Sequence, residues 1–106
     1  MLHYKLDTDG QPVACDLLEW ATWFEGAGAS RIVAQDMVGD VQVSTVFLAL
    51  DHDWSGAGPP VLWETMIFGG RHSDYQRRYS SREAAVAGHV EALALASVTR
   101  NIELED

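Results

Sequence analysis

Residues 44–70 constrain the fold more than any other part of this sequence. They consist of an apolar stretch (STVFLAL), an acidic loop that contains a histidine (DHDWSGAGPP) and a second apolar stretch (VLWETMIFGG). Short apolar runs separated by a Gly- and Pro-rich loop are typical of β-strands, and strands that are apolar on both faces lie inside a sheet. The segment therefore predicts a hairpin with a long loop at the centre of a small domain.

The flanking sequence predicts further strands. Residues 2–6 alternate weakly and precede a turn signal, residues 31–37 form another candidate strand, and the polar segment 71–79 is expected to end in a short edge strand. Together with two helices, these elements predict an α+β fold, with an antiparallel sheet of about four strands and two helices packed on it.

Both helices are predicted from their start signals. Asp16 precedes Glu19 by three residues and Ser80 precedes Glu83 by three, which is the spacing of a capping box. Residues 26–28 (GAG) end the first helix. Helical periodicity places these residues of the first helix on one apolar stripe: Leu17, Trp20, Ala21 and Phe24. The corresponding stripe of the second helix is Val86, Val90, Leu93 and Ser97.

Three expectations concern single positions in or near the helices. Trp23 lies off the first stripe and is expected to be partly exposed. Gly88 stands inside the second helix, where glycine costs about 1 kcal/mol relative to alanine, and close approach to a strand would explain it. Residues 98–106 carry no stop signal and are expected to fray or to form a last short segment.

Length and composition bound the class of protein. A chain of 106 residues, 47% of them apolar, predicts a single domain, 1–106, with its own core. No apolar run approaches the roughly 20 residues that span a bilayer, and no secretion signal is visible at the start. The single cysteine, Cys15, forms no internal disulfide. These features favour the cytoplasm and no membrane partner.

The charge is strongly acidic and unevenly distributed. Sixteen acidic and seven basic side chains give a net charge of −9, and residues 1–70 alone hold ten acidic and two basic residues. Phosphates would be repelled by most of this surface, so direct binding to nucleic acid is disfavoured. The acidic surface either keeps the chain soluble or docks on the basic surface of a partner, such as a surface built for nucleic acid.

The loop that begins at Asp51 carries candidate functional residues. Asp51, His52 and Asp53 place two carboxylates around an imidazole, and such groups bind metal ions. Neighbouring side chains of an extended segment point to opposite sides, so this loop cannot close a metal site by itself. The residues that could complete it are Glu64, His72, Asp74 and His89. Alternatively, Asp51 caps the turn at the strand end.

Two further polar residues stand among apolar neighbours. Glu64 is expected near Phe47 in the hairpin, where a buried carboxylate must be paired or its pKa rises. It is either paired with an arginine (Arg31, Arg77 or Arg78) or is a perturbed carboxylate in a pocket. His89 flanks the second helix's apolar stripe and is expected to be a core-edge residue with one hydrogen bond.

No motif indicates catalysis. The chain has no Gly-rich phosphate loop, no C-x-x-C and no H-E-x-x-H sequence. We therefore expect a protein that is not an enzyme and that has no cofactor and no bound metal.

Three sequence blocks resemble a family of small uncharacterised proteins of bacteriophages and prophage regions. The blocks are STVFLALDH, GPPVLWETMIFGG and RYSSREAAVAGH, and the likeness covers about residues 41–89. The resemblance implies a phage-derived accessory protein that acts in the cytoplasm of a bacterial host. It carries over no catalytic residue.

Three functions are compatible with these features. The first is an interaction protein that inhibits a nucleic-acid-handling defence complex of the host, as anti-CRISPR and anti-restriction proteins do. Its expected partner contacts are Asp51, His52, Asp53, Trp54, Glu64 and Asp74. The second is a structural or assembly accessory protein of the phage that forms homo-oligomers. The third is a small metal-dependent or ligand-binding enzyme that uses Asp51, His52, Glu64 and His89.

Overall fold

The computed structural model describes residues 2–104, with the backbone alone for Glu103 and Leu104. Its elements, in chain order, are β1 (His3–Leu6), β2 (Pro12–Cys15), α1 (Leu17–Ala27), a short 3₁₀ turn (Gly28–Arg31), β3 (Ile32–Val38), β4 (Val41–Phe47), β5 (Trp63–Phe68), β6 (Gln76–Tyr79) and α2 (Arg82–Leu104). Strands β3 to β6 form a four-stranded antiparallel sheet in sequence order, and β1 pairs with β2 in a separate hairpin. The predicted α+β fold class is confirmed.

The paired strands of the central hairpin are shorter than the apolar stretches that predict them. The apolar stretches 44–50 and 61–70 pair as β4 and β5 only from Phe47 and Trp63, which lie opposite each other. Glu64 pairs with Val46 and not with Phe47, one residue away from the expected register. Beyond Phe47 the strand ends because Ala49 adopts a left-handed conformation with φ of 67°.

Helix α2 covers one face of the sheet with its small residues. Its buried positions are Ala85, Gly88, His89, Ala92 and Ala96. The predicted stripe is wrong for its two valines, since Val86 is 42% and Val90 61% exposed. Small side chains bring the helix axis close to the strands, and this close approach excludes the larger valines from the interface.

Gly88 makes this close approach possible. A Cβ atom at Gly88 would overlap the ring and hydroxyl of Tyr79, a buried residue of β6. The expectation that Gly88 marks a close contact between the helix and a strand is confirmed.

Helix α1 begins and ends where the sequence indicates. The Asp16 carboxylate caps the helix by accepting a 2.8 Å hydrogen bond from the backbone N–H of Glu19, and Gly28 follows the last turn with φ of 48°. The predicted stripe is wrong at Leu17, which is 63% exposed, and at Ala21, which is also exposed.

The inward face of α1 is aromatic. Trp20 stacks on Phe24 with their ring centroids 4.7 Å apart, and Trp23 meets the ring of Phe47 edge-on at 5.9 Å. Trp23 is partly exposed, as expected, and the rest of its side chain packs against the core. Bulky rings bury more apolar area than Leu17 and Ala21 would, so they set the helix orientation.

Two end segments also differ from expectation. Residues 12–15 form the strand β2, which the sequence pattern did not indicate. Helix α2 continues to Leu104, so residues 98–104 belong to this helix and form no separate segment, while residues 105–106 lie outside the described part. Within the described part of the chain, no helix has the length and apolar character needed to cross a membrane.

Two helical glycines give a matched test of the packing. Gly88→Ala is expected to destabilise the fold by roughly 1–3 kcal/mol, because the new methyl group overlaps Tyr79. Gly26→Ala in α1 meets open space and is expected to stabilise the fold by up to about 1 kcal/mol through helix propensity. Urea unfolding of both variants measures the sign of each change in the free energy of unfolding. A stabilising effect of Gly88→Ala would contradict the packing of α2 on the sheet.

Candidate functional site

The acidic loop (residues 51–60) is held in shape by its own aspartates. Asp51 follows the β4 side of the hairpin, and its Oδ1 accepts hydrogen bonds from the backbone N–H groups of Asp53 at 2.8 Å and Val61 at 2.9 Å. The alternative that Asp51 caps the turn is confirmed. One carboxylate thereby joins the two ends of the loop.

Asp53 closes the tip of the acidic loop. Its Oδ1 accepts from the hydroxyl of Ser55 at 2.6 Å and from the Ser55 N–H at 3.1 Å, and its Oδ2 accepts from the N–H of Gly58 at 3.1 Å. These bonds, led by that of the Ser55 hydroxyl, lower the pKa of Asp53. Asp53 is therefore ionised at neutral pH.

Trp54 projects from this ordered loop. Its side chain is 71% exposed, and the His52 ring meets it edge-on at 5.9 Å. His52 is itself fixed, since its Nδ1 donates a 2.8 Å hydrogen bond to the carbonyl of Leu50. A cavity of about 200 Å³ separates the loop from Leu2, which is 59% exposed. The structure thus combines an exposed tryptophan, two carboxylates and a recess that they line together with Leu2.

The other expected partner contacts lie elsewhere. Glu64 is 8% exposed on the sheet face opposite α2, where its Oε2 accepts from Arg78 Nε at 2.9 Å and Gln76 Nε2 at 2.7 Å. Of the pairings left open for Glu64, the one with Arg78 is formed. Asp74 is exposed in the loop between β5 and β6, at the end of the sheet away from the acidic loop. Only Asp51, His52, Asp53 and Trp54 share one surface.

A buried polar chain joins α2 to the sheet. His89 is 4% exposed, and its Nε2 lies 2.8 Å from Asp36 Oδ2 and its Nδ1 2.7 Å from Thr45 Oγ1. Thr45 Oγ1 lies 2.5 Å from Thr65 Oγ1, which also accepts from the hydroxyl of Tyr79 at 3.1 Å. The expectation of one hydrogen bond for His89 is wrong, because the ring spans the gap between two strands and the helix.

The buried polar chain has the residue order of a nucleophile, a base and an acid, but its position prevents such use. Thr45 and Thr65 are fully buried, so a substrate cannot reach their hydroxyls. Burial also raises the pKa of the Tyr79 hydroxyl, which keeps that group protonated. The chain satisfies buried polar groups and fixes the position of α2 on the sheet.

The four residues of the expected enzyme site do not converge. Glu64 lies on the sheet face opposite α2, whereas His89 lies under α2 on the other face. Within the described residues, no group of three His, Cys, Asp or Glu side chains could hold a metal ion. The site proposed for the enzyme alternative is therefore not formed.

No protein family, curated protein or solved structure matches this chain. The resemblance of residues 41–89 to small phage and prophage proteins stays a prediction.

Acidification is expected to loosen the tip of the acidic loop. The pKa of Asp53 is lower in the folded chain than in the unfolded one, so its hydrogen bonds stabilise the loop above the unfolded pKa. This stabilisation is lost as the pH falls through the folded pKa. In an NMR pH titration, the amides of Ser55 and Gly58 should shift together with a midpoint below that of an ordinary aspartate.

The matched control is Asp53→Asn, which keeps one acceptor oxygen but cannot titrate. Its Ser55 and Gly58 amides should show no transition in the same pH range. A midpoint at the ordinary aspartate value in the unsubstituted chain would show that Asp53 does not fix the tip.

Proposed function

We propose that the protein is an interaction protein that docks through the acidic loop on a basic surface of a nucleic-acid-handling complex. In this proposal it acts in the cytoplasm of a bacterial host as a phage- or prophage-derived inhibitor of the anti-CRISPR or anti-restriction type. The observation that carries the proposal is Trp54, which is 71% exposed on a loop that its own aspartates hold in place.

An exposed tryptophan on an ordered loop favours binding for two reasons. Tryptophan is enriched among the few interface residues that supply most of the binding free energy. Because Asp51 and Asp53 already fix the loop backbone, little conformational entropy is lost when a partner covers it. The recess between Trp54 and Leu2, which Asp51 and Asp53 also line, offers room for a side chain of that partner.

Charge favours a basic partner. The chain carries a net charge of −9, and the ionised Asp53 lies next to Trp54. An acidic surface speeds association with a basic one, and surfaces that bind phosphates are basic. A protein that covers such a surface competes with nucleic acid for it, without binding nucleic acid itself.

One observation favours the homo-oligomeric assembly protein as a second candidate. Within the described residues, no helix covers the sheet face opposite α2, and Met37 and Phe68 on that face are 60% and 48% exposed. The Glu64–Arg78 ion pair leaves this face without net charge at its centre, so a second copy of an acidic chain could approach it.

Trp54→Ala is expected to weaken partner capture by roughly 30-fold, the loss typical of a central interface tryptophan. The measurement is an affinity pull-down from bacterial lysate at low and moderate salt, followed by binding measurements with the purified partner. Met37→Ala removes a similarly exposed apolar side chain from another face and serves as the matched control. The proposal expects a nucleic-acid-handling complex that Met37→Ala retains and Trp54→Ala loses.

Two outcomes would contradict the proposal. The first is equal capture by both variants, which would show that the acidic loop is not the contact. The second is an oligomer in light scattering that Met37→Ala dissociates and Trp54→Ala does not, with virion proteins as the recovered partners. That result would favour the assembly role.

A further inference from the structure

The two edges of the four-stranded sheet differ in how open they are to another strand. The strand order is β3-β4-β5-β6, so β3 and β6 each have one neighbouring strand in the described part of the chain. β6 has four residues, including Arg77 and Arg78, and short, charged strands are typical of protected edges. β3 has seven residues and contains no lysine, arginine or proline. It is therefore the edge that can accept a further strand.

The backbone of β3 presents hydrogen-bonding groups along this edge. Val38 and Val41 flank a two-residue turn and pair with each other, and in such a hairpin every second residue bonds to the neighbouring strand. Asp36 therefore bonds to β4, whereas Gln35 and Met37 direct their N–H and C=O groups away from it. The register shift between β3 and β4 lies before this part of the strand, which is regular.

Asp36 places a negative charge at the middle of the edge. Its carboxylate is 53% exposed, and its Oδ2 lies 2.8 Å from His89 Nε2 on the α2 side of the sheet. Because this contact holds the carboxylate in place, little conformational entropy is lost when a partner binds it. On the opposite face, Met37 is 60% exposed and Gln35 Nε2 donates to Ser44 Oγ at 3.1 Å. The edge is thus acidic on one face and uncharged on the other.

We propose that β3 binds an extended segment of a partner protein in which basic and apolar residues alternate. The added strand bonds to the N–H and C=O groups of Gln35 and Met37, and main-chain bonds of this kind supply the affinity of strand addition. Its side chains alternate between the two faces of the sheet. The basic side chains lie beside Asp36 on the α2 face, and the apolar ones lie beside Met37.

The charges near β3 favour this arrangement. The net charge of −9 attracts a basic segment from a distance. The Arg100 guanidinium packs against Gly39 in the turn that follows β3, so a basic side chain is favoured beside Asp36 and disfavoured at the turn.

A synthetic peptide tests this binding directly. The probe is a capped peptide of about seven residues in which valine and lysine alternate, long enough to pair with most of β3. In a ¹H–¹⁵N NMR titration at constant ionic strength, saturable shifts are expected at the amides of Gln35 and Met37, because their N–H groups gain hydrogen bonds. β3 shares no residue with the acidic loop, so Trp54→Ala should leave the peptide affinity unchanged.

Two glutamines on opposite edges give matched variants. Gln35→Pro removes an N–H group that points away from β4 and should weaken peptide binding about tenfold, since the added strand loses a main-chain bond. Gln76→Pro makes the same change in β6. Tyr75 accepts a hydrogen bond from Ile67 of β5, so the N–H group of the next residue, Gln76, points away from β5. Gln76→Pro should leave the affinity unchanged.

A second peptide, with glutamate in place of lysine, should not bind. Equal weakening by Gln35→Pro and Gln76→Pro, or equal binding of the two peptides, would overturn the proposal. Shifts confined to the acidic loop would do the same, since they would show attraction by charge alone. Shifts of the Gln35 and Met37 amides that follow protein concentration without peptide would overturn it in favour of a second copy at this edge.

Asp36→Asn keeps the test decisive if Gln35→Pro does not give a folded spectrum. The asparagine retains an acceptor oxygen for His89 but loses the charge, so the lysine peptide should bind about threefold more weakly. A peptide with glutamine in place of lysine should bind this variant and the unsubstituted chain equally. Unchanged affinity for the lysine peptide would overturn the proposal.

Discussion

The close contact between α2 and the sheet is the constraint on which the rest of the structure depends. Most residues of α2 that face the sheet are small, so the helix axis approaches the strands closely. These small residues are Ala85, Gly88, Ala92 and Ala96. Such an interface has no room for water, and the polar groups inside it must bond to one another. The buried polar chain meets this requirement, since no buried side-chain nitrogen or oxygen lacks a partner in the described residues. Because His89 must form hydrogen bonds with both Asp36 and Thr45, the buried polar chain also fixes the position of α2 on the sheet.

The sequence predicts those features that depend on neighbouring residues. The cap at Asp16, the helix end at Gly28 and the close contact at Gly88 each follow from a local signal. The face of α2 that packs on the sheet could not be predicted in the same way. Hydrophobic periodicity favours Val86 and Val90, whereas the close approach to the sheet selects alanine and glycine.

The candidate sites could be predicted only in part, because some of their contacts join neighbouring residues and others join residues far apart in sequence. The acidic loop could be identified because its unusual residues are contiguous, but its role as a set of backbone caps depends on the loop conformation. Arg78 was one of three arginines that could pair with Glu64, and only the β5–β6 register selects it. The bond between Asp36 and His89 spans 53 residues of sequence. No sequence pattern brings such residues together.

Native-state hydrogen exchange tests most directly whether α2 and the sheet form one unit. The amides of Ala92 and Ala96 in α2 and of Thr45 and Thr65 in the sheet should exchange with one common free energy, equal to that of global unfolding. His89→Leu, which removes the bonds between helix and sheet, should lower all four values equally, while the exposed control Val90→Ala should leave them unchanged. Exchange of the α2 amides at a lower free energy than the sheet amides would contradict this account, because the helix would then open without the sheet.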